Sequence, residues 1–280
     1  MKQMEIKLTT LSENTAGKPG LLAEWGLSIL VEADKYKVLL DTGLGISAAH
    51  NAAIMGIDLS AVDRIVLSHG HRDHTGGSKH MLNVMRKQIE VIAHPDIWAA
   101  KYSRTFSKRA QYAGIPFARE SLESRGASFN LTKEPVWITD NIVTSGEIAM
   151  HTKYERIDRD LLVKEGDKLR PDPLKDDLAL IIKTQKGLVV VLGCGHRGMI
   201  NTLHHAQKIT GVEQIRMVVG GTHLLHASRK QIGLTIAELK RLSVQKIGVS
   251  HCTGLQAAAV LFQEFGDKFF FNNTGNVVTT

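Results

Sequence analysis

The feature that most constrains this 280-residue chain is a run of metal-binding side chains that follows a short apolar segment. Ile65 to Leu67 is predicted to form a short strand, and the motif H-x-H-x-D-H occupies residues 69 to 74 directly after it. Four side chains that bind metals thus fall within six positions, a density that favours a metal site over a polar surface loop. Imidazole nitrogens and a carboxylate suit Zn²⁺, and also Fe or Mn.

The motif and three later histidines together predict a site for two metal ions. A loop that leaves a strand can point alternate residues in different directions, so His69 and His71 are predicted to hold one ion, and Asp73 and His74 the other. Two ions need more ligands than these four. Three later apolar segments each end in a histidine before a predicted helix, and these histidines are His196, His223 and His251. Parallel strand ends meet at one edge of a sheet, so we expect these histidines beside the motif.

The order of the predicted elements favours an α/β (α+β) fold in a single domain spanning residues 1–280. Near the N-terminus, alternating and apolar segments predict an antiparallel meander at 4–10, 27–33 and 36–40. A helix, strand, helix, strand series then follows at 46–55, 65–67, 78–87 and 90–93. A hairpin is predicted at 177–184 and 187–192, and three strands that each precede a helix are predicted at 188–192, 215–219 and 246–250.

Residues 97 to 176 are less regular, and we predict an excursion that covers the active site. Its first part carries six basic residues, which are Lys101, Arg104, Lys108, Arg109, Arg119 and Arg125. They are expected either to form part of the mouth of the site, where they would attract an anionic substrate, or simply to face solvent.

The composition narrows the choice of partners. There are 35 lysines and arginines against 28 aspartates and glutamates, which gives a net charge of +7 and favours anionic partners. The basic residues are dispersed and not interleaved with aromatic ones, which disfavours nucleic acid and leaves a small anionic molecule. No apolar run approaches the roughly 18 to 20 residues of a membrane helix, and no export signal is recognisable, so a cytoplasmic location is expected. Whether the chain forms a homo-oligomer stays open.

These motifs resemble a known superfamily. The segment from His69 to Gly77, with Asp41-Thr42-Gly43 before it, resembles the signature of the metallo-β-lactamase superfamily, which implies a four-layer αββα sandwich. Further segments resemble one branch of it, metal-dependent hydrolase-like proteins labelled 7,8-dihydropterin-6-methyl-4-(β-D-ribofuranosyl)-aminobenzene-5′-phosphate synthase. These segments are residues 24–28, 171–177, 193–196, 220–224 and 251–254.

The resemblance implies roles for individual residues. His69 and His71 match ligands of the first metal, Asp73 and His74 match ligands of the second, and His251 completes the second set. Both ions are expected to be divalent, with zinc favoured over iron or manganese.

Three further roles follow from the same resemblance. The third ligand of the first metal has no clean match; His151 is a weak candidate and His196 a better one. Cys194 stands where the superfamily often has a bridging aspartate, so a thiolate ligand and a small buried residue both stay open. Asp41 resembles the buried aspartate that orients metal ligands. Both cysteines adjoin predicted ligands, which argues against a structural disulfide.

The predicted function is a dinuclear metal-dependent enzyme acting on a small anionic substrate that is phosphorylated or pterin-like, in the manner of a synthase-type transferase. The alternative is a metal-dependent hydrolase of the phosphoesterase or lactonase type, in which a hydroxide shared by the two ions attacks the substrate; a nuclease is less favoured. Asp73 is expected to hold the second ion and accept a proton. His223 would donate to developing negative charge or to a substrate phosphate, or make a structural hydrogen bond.

Overall fold

Seven strands form the first sheet of the computed structural model, which describes residues 5–33 and 35–280. In spatial order they are β17 (Val277–Thr279), β1 (Ile6–Ser12), β2 (Ser28–Ala33), β3 (Tyr36–Leu40), β4 (Arg64–Val66), β5 (Ile89–Ala93) and β8 (Ala127–Leu131). Strands β1, β2 and β3 make the antiparallel meander expected from the sequence, although Met4, its predicted first residue, lies outside the described residues. From β3 to β8 the neighbouring strands are parallel.

Six strands form the second sheet. In spatial order they are β16 (Phe269–Phe271), β15 (Lys246–Ser250), β14 (Ile215–Gly221), β13 (Gly187–Leu192), β12 (Ala179–Thr184) and β9 (Ile142–Thr144). Strands β12 and β13 form the predicted antiparallel hairpin, and β13 to β16 are parallel. The carboxyl ends of β13, β14 and β15 therefore lie at one edge, as the sequence predicted.

Helices cover the outer face of each sheet. Those on the first sheet are α1 (Ser47–Ile54), α3 (Ser78–Met85) and α4 (Arg119–Glu123); those on the second are α5 (Met199–Thr210), α6 (Arg229–Arg241) and α7 (Leu255–Phe265). A single helical turn, α2 (Arg72–Thr75), lies within the metal-binding motif. Short 3₁₀ turns occupy Leu59–Ala61, Pro95–Trp98, His251–Thr253 and Gly266–Lys268. None of the helices in the described ranges is long and apolar enough to cross a membrane.

Alternation along the strands creates the layers. Successive side chains of a strand point to opposite faces, so Val189 and Val191 of β13 join a central core between the sheets, while Val190 joins the core under the helices. Strand β2 divides in the same way, with Ile29 in the central core and Leu30 under the helices of the first sheet. The structure therefore has the predicted four layers of an αββα sandwich.

Residues 97 to 176 are more regular than the sequence suggested, because they supply strands to both main sheets. Strand β8 forms the edge of the first sheet and β9 the edge of the second. A separate four-stranded sheet, in the order β11-β10-β6-β7, consists of β11 (Lys168–Pro171), β10 (Leu161–Glu165), β6 (Lys101–Ser103) and β7 (Gln111–Tyr112). Strands of two to five residues at a sheet edge leave too short a hydrophobic pattern to predict.

Candidate metal centre

Loops from both sheets converge on one cluster of buried side chains. His69 and His71 follow β4 of the first sheet, while His196, His223 and His251 follow β13, β14 and β15 of the second. The predicted loop after β4 is in fact partly helical. In turn α2, Thr75 Oγ1 donates to the carbonyl oxygen of His71, four residues earlier, at 2.9 Å. The H-x-H spacing did not predict this helical turn.

The structure brings the predicted ligands of the first metal together. His69 Nε2 lies 3.1 Å from His196 Nε2, and the donor atoms of His69, His196 and Cys194 all lie within 4.8 Å of one another. The donor atoms of His69, His71 and Asp73 form a second group within the same limit. His196, the better of the two candidates for the third ligand, therefore lies within reach of His69.

The predicted ligands of the second metal meet on the other side of Cys194. His74 Nε2 lies 3.0 Å from Cys194 Sγ, and His251 Nε2 lies 3.2 Å from Asp73 Oδ2. His74, His251 and Cys194 place their donor atoms within 4.8 Å of one another. Cys194 is therefore common to the group of His69 and His196 and the group of His74 and His251.

His151, the weak candidate for the third ligand of the first metal, does not lie in this cluster. Its side chain is exposed, its main-chain N–H donates to Asn201 Oδ1, and it belongs to none of the donor groups in the described part of the chain. In contrast, Cys252 was not predicted as a site residue, yet it groups with Cys194 and His223. Its position directly after His251 was the available signal.

In three of the candidate ligands, the Nδ1 atom lies within hydrogen-bond distance of a neighbouring side chain. Asp41 Oδ2 lies 2.6 Å from His74 Nδ1, Ser68 Oγ lies 2.9 Å from His69 Nδ1, and Asn14 Oδ1 lies 2.9 Å from His251 Nδ1. Such contacts fix the ring orientation and leave Nε2 for the centre, as around metal-binding histidines. Asp41 was predicted for this role, whereas Ser68 and Asn14 were not, because single residues carry no spacing signal.

Buried histidine nitrogens without hydrogen bonds indicate whether these residues could bind divalent cations. Four buried histidine nitrogens make no hydrogen bond among the described residues, and they are His71 Nε2, His196 Nδ1, His223 Nδ1 and His251 Nε2. Of these, His251 Nε2 faces Asp73 Oδ2 at 3.2 Å. Buried polar atoms are nearly always paired in folded proteins, so a cluster of unpaired ones indicates a missing ligand. Nitrogen, thiol and carboxylate donors are the set that zinc and related metals prefer. The residues therefore fit a metal centre.

Burial sets the charge of the histidines. Burial, with neighbouring histidines, holds the pKa values of His69 and His196 well below the usual range, and burial lowers the pKa of His71 to about 3. Burial also acts to lower the pKa of His74, but Asp41 and Asp73 outweigh it and raise this pKa to about 9. Three rings are thus neutral, which is the form that binds metals.

The pKa values of the two acidic donors, Asp73 and Cys194, are shifted in opposite directions. Burial acts to raise the pKa of Asp73, but His74 and His251 outweigh it and hold that pKa below its usual range. Burial raises the pKa of the Cys194 thiol well above its ordinary value. Asp73 therefore carries a negative charge in the centre, while Cys194 needs a cation to lose its proton.

The backbone is strained at three points around the centre. Asp41, His223 and His251 have φ angles of 59°, 49° and 54°, in the left-handed region that side chains other than glycine seldom adopt. Strain of this kind persists only where the surroundings hold it, and it clusters at functional sites. All three residues come just after strand ends that lead into the centre.

A cavity of about 350 Å³ opens onto the metal centre. Among its lining residues are Asp73, His223 and Arg72, and the aromatic side chains Trp25, Phe106 and Tyr112. Ser103, Thr105, Gln111 and Leu161, from within 97–176, also line it. None of the six basic residues expected at the mouth lines this cavity.

Lys101, one of the six basic residues expected at the mouth, is instead buried in an ion pair. It is 1% exposed, and its Nζ donates to Asp172 Oδ2 at 2.8 Å and to Asp176 Oδ1 at 2.9 Å. Asp176 Oδ2 in turn accepts the main-chain N–H of Gly70, which lies between two of the motif histidines. A buried lysine cannot be told from a solvated one by composition, so both locations predicted for Lys101, at the mouth of the site and in solvent, are wrong.

Comparison with known proteins agrees with this geometry. Residues 26–200 match the model of the Metallo-beta-lactamase superfamily. The chain is 33% identical to the 7,8-dihydropterin-6-methyl-4-(beta-D-ribofuranosyl)-aminobenzene-5′-phosphate synthase of Methanocaldococcus jannaschii, over 98% of this chain and 96% of the relative. It is 29% identical to the uncharacterised protein MJ0448 of the same organism, over 96% and 98% of the two chains.

A solved structure shares the whole fold. Tm1679, described as a metal-dependent hydrolase of the beta-lactamase superfamily, superposes with a TM-score of 0.84 at 28% identity over 98% of both chains. Motif, layers, converging strand ends and relatives all agree, and the chain belongs to the metallo-β-lactamase superfamily.

Proposed function

We propose that this protein is an enzyme with a dinuclear metal centre that acts on a small anionic substrate, phosphorylated or pterin-like. The observation that carries the proposal is the sharing of Cys194 between two groups of buried donors. The name of the relative with 33% identity supports a pterin-related synthase, and hence a transferase. A metal-dependent hydrolase is the second candidate, supported by the description of Tm1679.

The proposed ligands divide around Cys194. His69, His71 and His196 would hold one ion, Asp73, His74 and His251 would hold the other, and the Cys194 thiolate would be a ligand within reach of both sets. Of the two roles that the sequence left open for Cys194, the ligand role is favoured because its sulfur lies 3.0 Å from His74 Nε2 and within 4.8 Å of donors from both groups. Zinc is the proposed metal, since sulfur and imidazole suit it well.

The proposed chemistry assigns two residues at the cavity. Divalent cations bound here would act as Lewis acids on a carbonyl or phosphoryl oxygen. The Asp73 side chain is 22% exposed and lines the cavity, so it can accept a proton from an attacking water or amine. His223 lines the same cavity with a free Nδ1, so it can donate to negative charge that develops on the substrate.

Elemental analysis followed by assay tests this function. Protein purified without added metal, then reconstituted with zinc, is expected to hold about two ions per chain, the number that a dinuclear site binds. The reconstituted protein is then assayed on phosphoesters, on lactones, and on a dihydropterin diphosphate with an arylamine acceptor. Carbon–nitrogen bond formation supports the transferase, and hydrolysis alone supports the second candidate. Less than about one ion per chain after reconstitution would overturn the dinuclear centre.

Asn14 provides a separate test of how the second ion is held. Asn14→Ala removes the acceptor at His251 Nδ1, so we expect affinity for one of the two ions to fall about 10- to 100-fold, as for other partners of metal-binding histidines. Competition with a chromophoric chelator measures this change. Asn14→Asp, which keeps an acceptor, should retain the affinity, and so should Asn83→Ala on the exposed surface of α3. Equal affinities in Asn14→Ala and the unchanged chain would rule out the role.

A further inference from the structure

Two exposed aromatic side chains meet on the wall of the cavity. The rings of Trp25 and Phe106 pack edge to face, with centroids 5.3 Å apart and planes at 86°. Trp25 remains 41% exposed and Phe106 remains 72% exposed, and both line the cavity at the metal centre. Phe106 buries too little of its ring to stabilise the fold much. Large apolar side chains that stay exposed beside each other in a cavity indicate a binding surface.

The position of Trp25 relative to the centre is fixed by its neighbours. Its ring lies 5.5 Å from the ring of His251, edge to face. The following residue, Gly26, lies so close to Asp73 that an added Cβ would come within 2.4 Å of the Asp73 carbonyl oxygen. That same oxygen accepts the main-chain N–H of Leu27 at 3.2 Å. A molecule that contacts Trp25 is therefore held beside the reacting groups and not at the outer rim.

A cationic group lines the same cavity. The Arg72 side chain is exposed, and within the described residues no carboxylate lies within 4.0 Å of its guanidinium nitrogens. Its main-chain N–H donates to the carbonyl oxygen of Ala113 at 2.7 Å, which holds this part of turn α2 against the cavity wall. A guanidinium without a carboxylate partner at a cavity wall suits a phosphate or carboxylate, which it can bind through two parallel hydrogen bonds.

We propose that Trp25 and Phe106 determine specificity by binding a flat aromatic ring of the substrate, while Arg72 binds its anionic group. This inference rests on the proposed function, because it assigns the substrate contacts of that same centre. The ring stacks on or against the two aromatic faces, and the anion lies at the guanidinium. Aliphatic anions of the same charge bind Arg72 but lose the contact with the rings.

A matched pair of probes separates the two contacts. Phenylphosphonate and cyclohexylphosphonate carry the same anionic group on rings of similar size, and only the first ring is flat and aromatic. Titration calorimetry of the zinc-reconstituted full chain is expected to show tighter binding of phenylphosphonate. In Phe106→Leu, the ratio of the two affinities should fall roughly 3- to 10-fold, the range of an aromatic pair. In Arg72→Gln, both affinities should fall together by about 10-fold or more.

An exposed aromatic ring outside the cavity supplies the control. Phe262→Leu, which changes a 52% exposed ring on α7 that does not line the cavity, should leave both affinities unchanged. Equal binding of the two probes, no binding of either, or an unchanged ratio in Phe106→Leu would overturn the inference. If the chain holds two ions and shows no preference, only this inference fails. If it holds no metal but the ratio falls as expected, the proposed function fails and the aromatic contact stands.

Discussion

Replacing Asp73 by asparagine is expected to reduce the metal content from two ions to about one per chain, and to lower turnover of any substrate that the assay panel identifies by roughly 10²- to 10⁴-fold. The substitution keeps the shape of the side chain but removes the negative charge that faces His251 Nε2 at 3.2 Å. It therefore removes both the proposed anionic ligand of the second ion and the proposed proton acceptor. Elemental analysis after gel filtration, together with steady-state kinetics, measures both effects.

An exposed carboxylate supplies the control for this substitution. Asp267→Asn, in the 3₁₀ turn after α7, should keep two ions and full turnover. Two ions per chain in Asp73→Asn, with turnover within threefold of the unchanged protein, would contradict both proposed roles of Asp73.

Replacing Lys101 by methionine is expected to lower the free energy of unfolding by about 3–5 kcal/mol, the usual cost of removing one partner from a buried ion pair. Methionine fills a similar volume, but it leaves Asp172 and Asp176 as two buried carboxylates without a cation within 3 Å. Chemical denaturation of the metal-free protein measures the loss. The Gly70 loop depends on Asp176, so the affinity for the first ion should fall as well.

A second substitution separates uncompensated charge from lost packing. Adding Asp176→Asn to Lys101→Met should recover part of the lost stability, because one of the two stranded charges is removed. Lys133→Met, at a lysine 56% exposed, should change stability by no more than about 0.5 kcal/mol. A Lys101→Met protein as stable as the Lys133→Met protein would show that the buried pair contributes nothing.

Periodicity and motif spacing were enough to predict the frame of the molecule. The predicted strands and helices agree with the structure to within two residues at each end. The parallel arrangement of β13, β14 and β15 followed from apolar segments that alternate with helices, and it placed His196 and His251 at the same edge as the motif. These features were accessible because long runs of local pattern encode them.

Features formed by single residues from distant segments were not accessible. Asn14 meets His251 across 237 positions, and Trp25 meets Phe106 across 81, with no pattern that links either pair. Lys101 was misplaced because sequence shows the charge of a lysine but not the two aspartates that fold over it. Secondary structure and strand order, which local sequence patterns encode, were therefore predictable, whereas contacts between single residues from distant segments were not.

The left-handed conformations of Asp41, His223 and His251 lower the stability of the folded chain. Each costs on the order of 1–2 kcal/mol relative to glycine, and His223 adds a buried nitrogen without a partner. In the metal-free chain, glycine at position 223 would relieve both penalties. Directed evolution for heat resistance alone is therefore expected to select against this histidine, so stability and the catalytic role proposed for His223 would be opposing selection pressures at the same strand end.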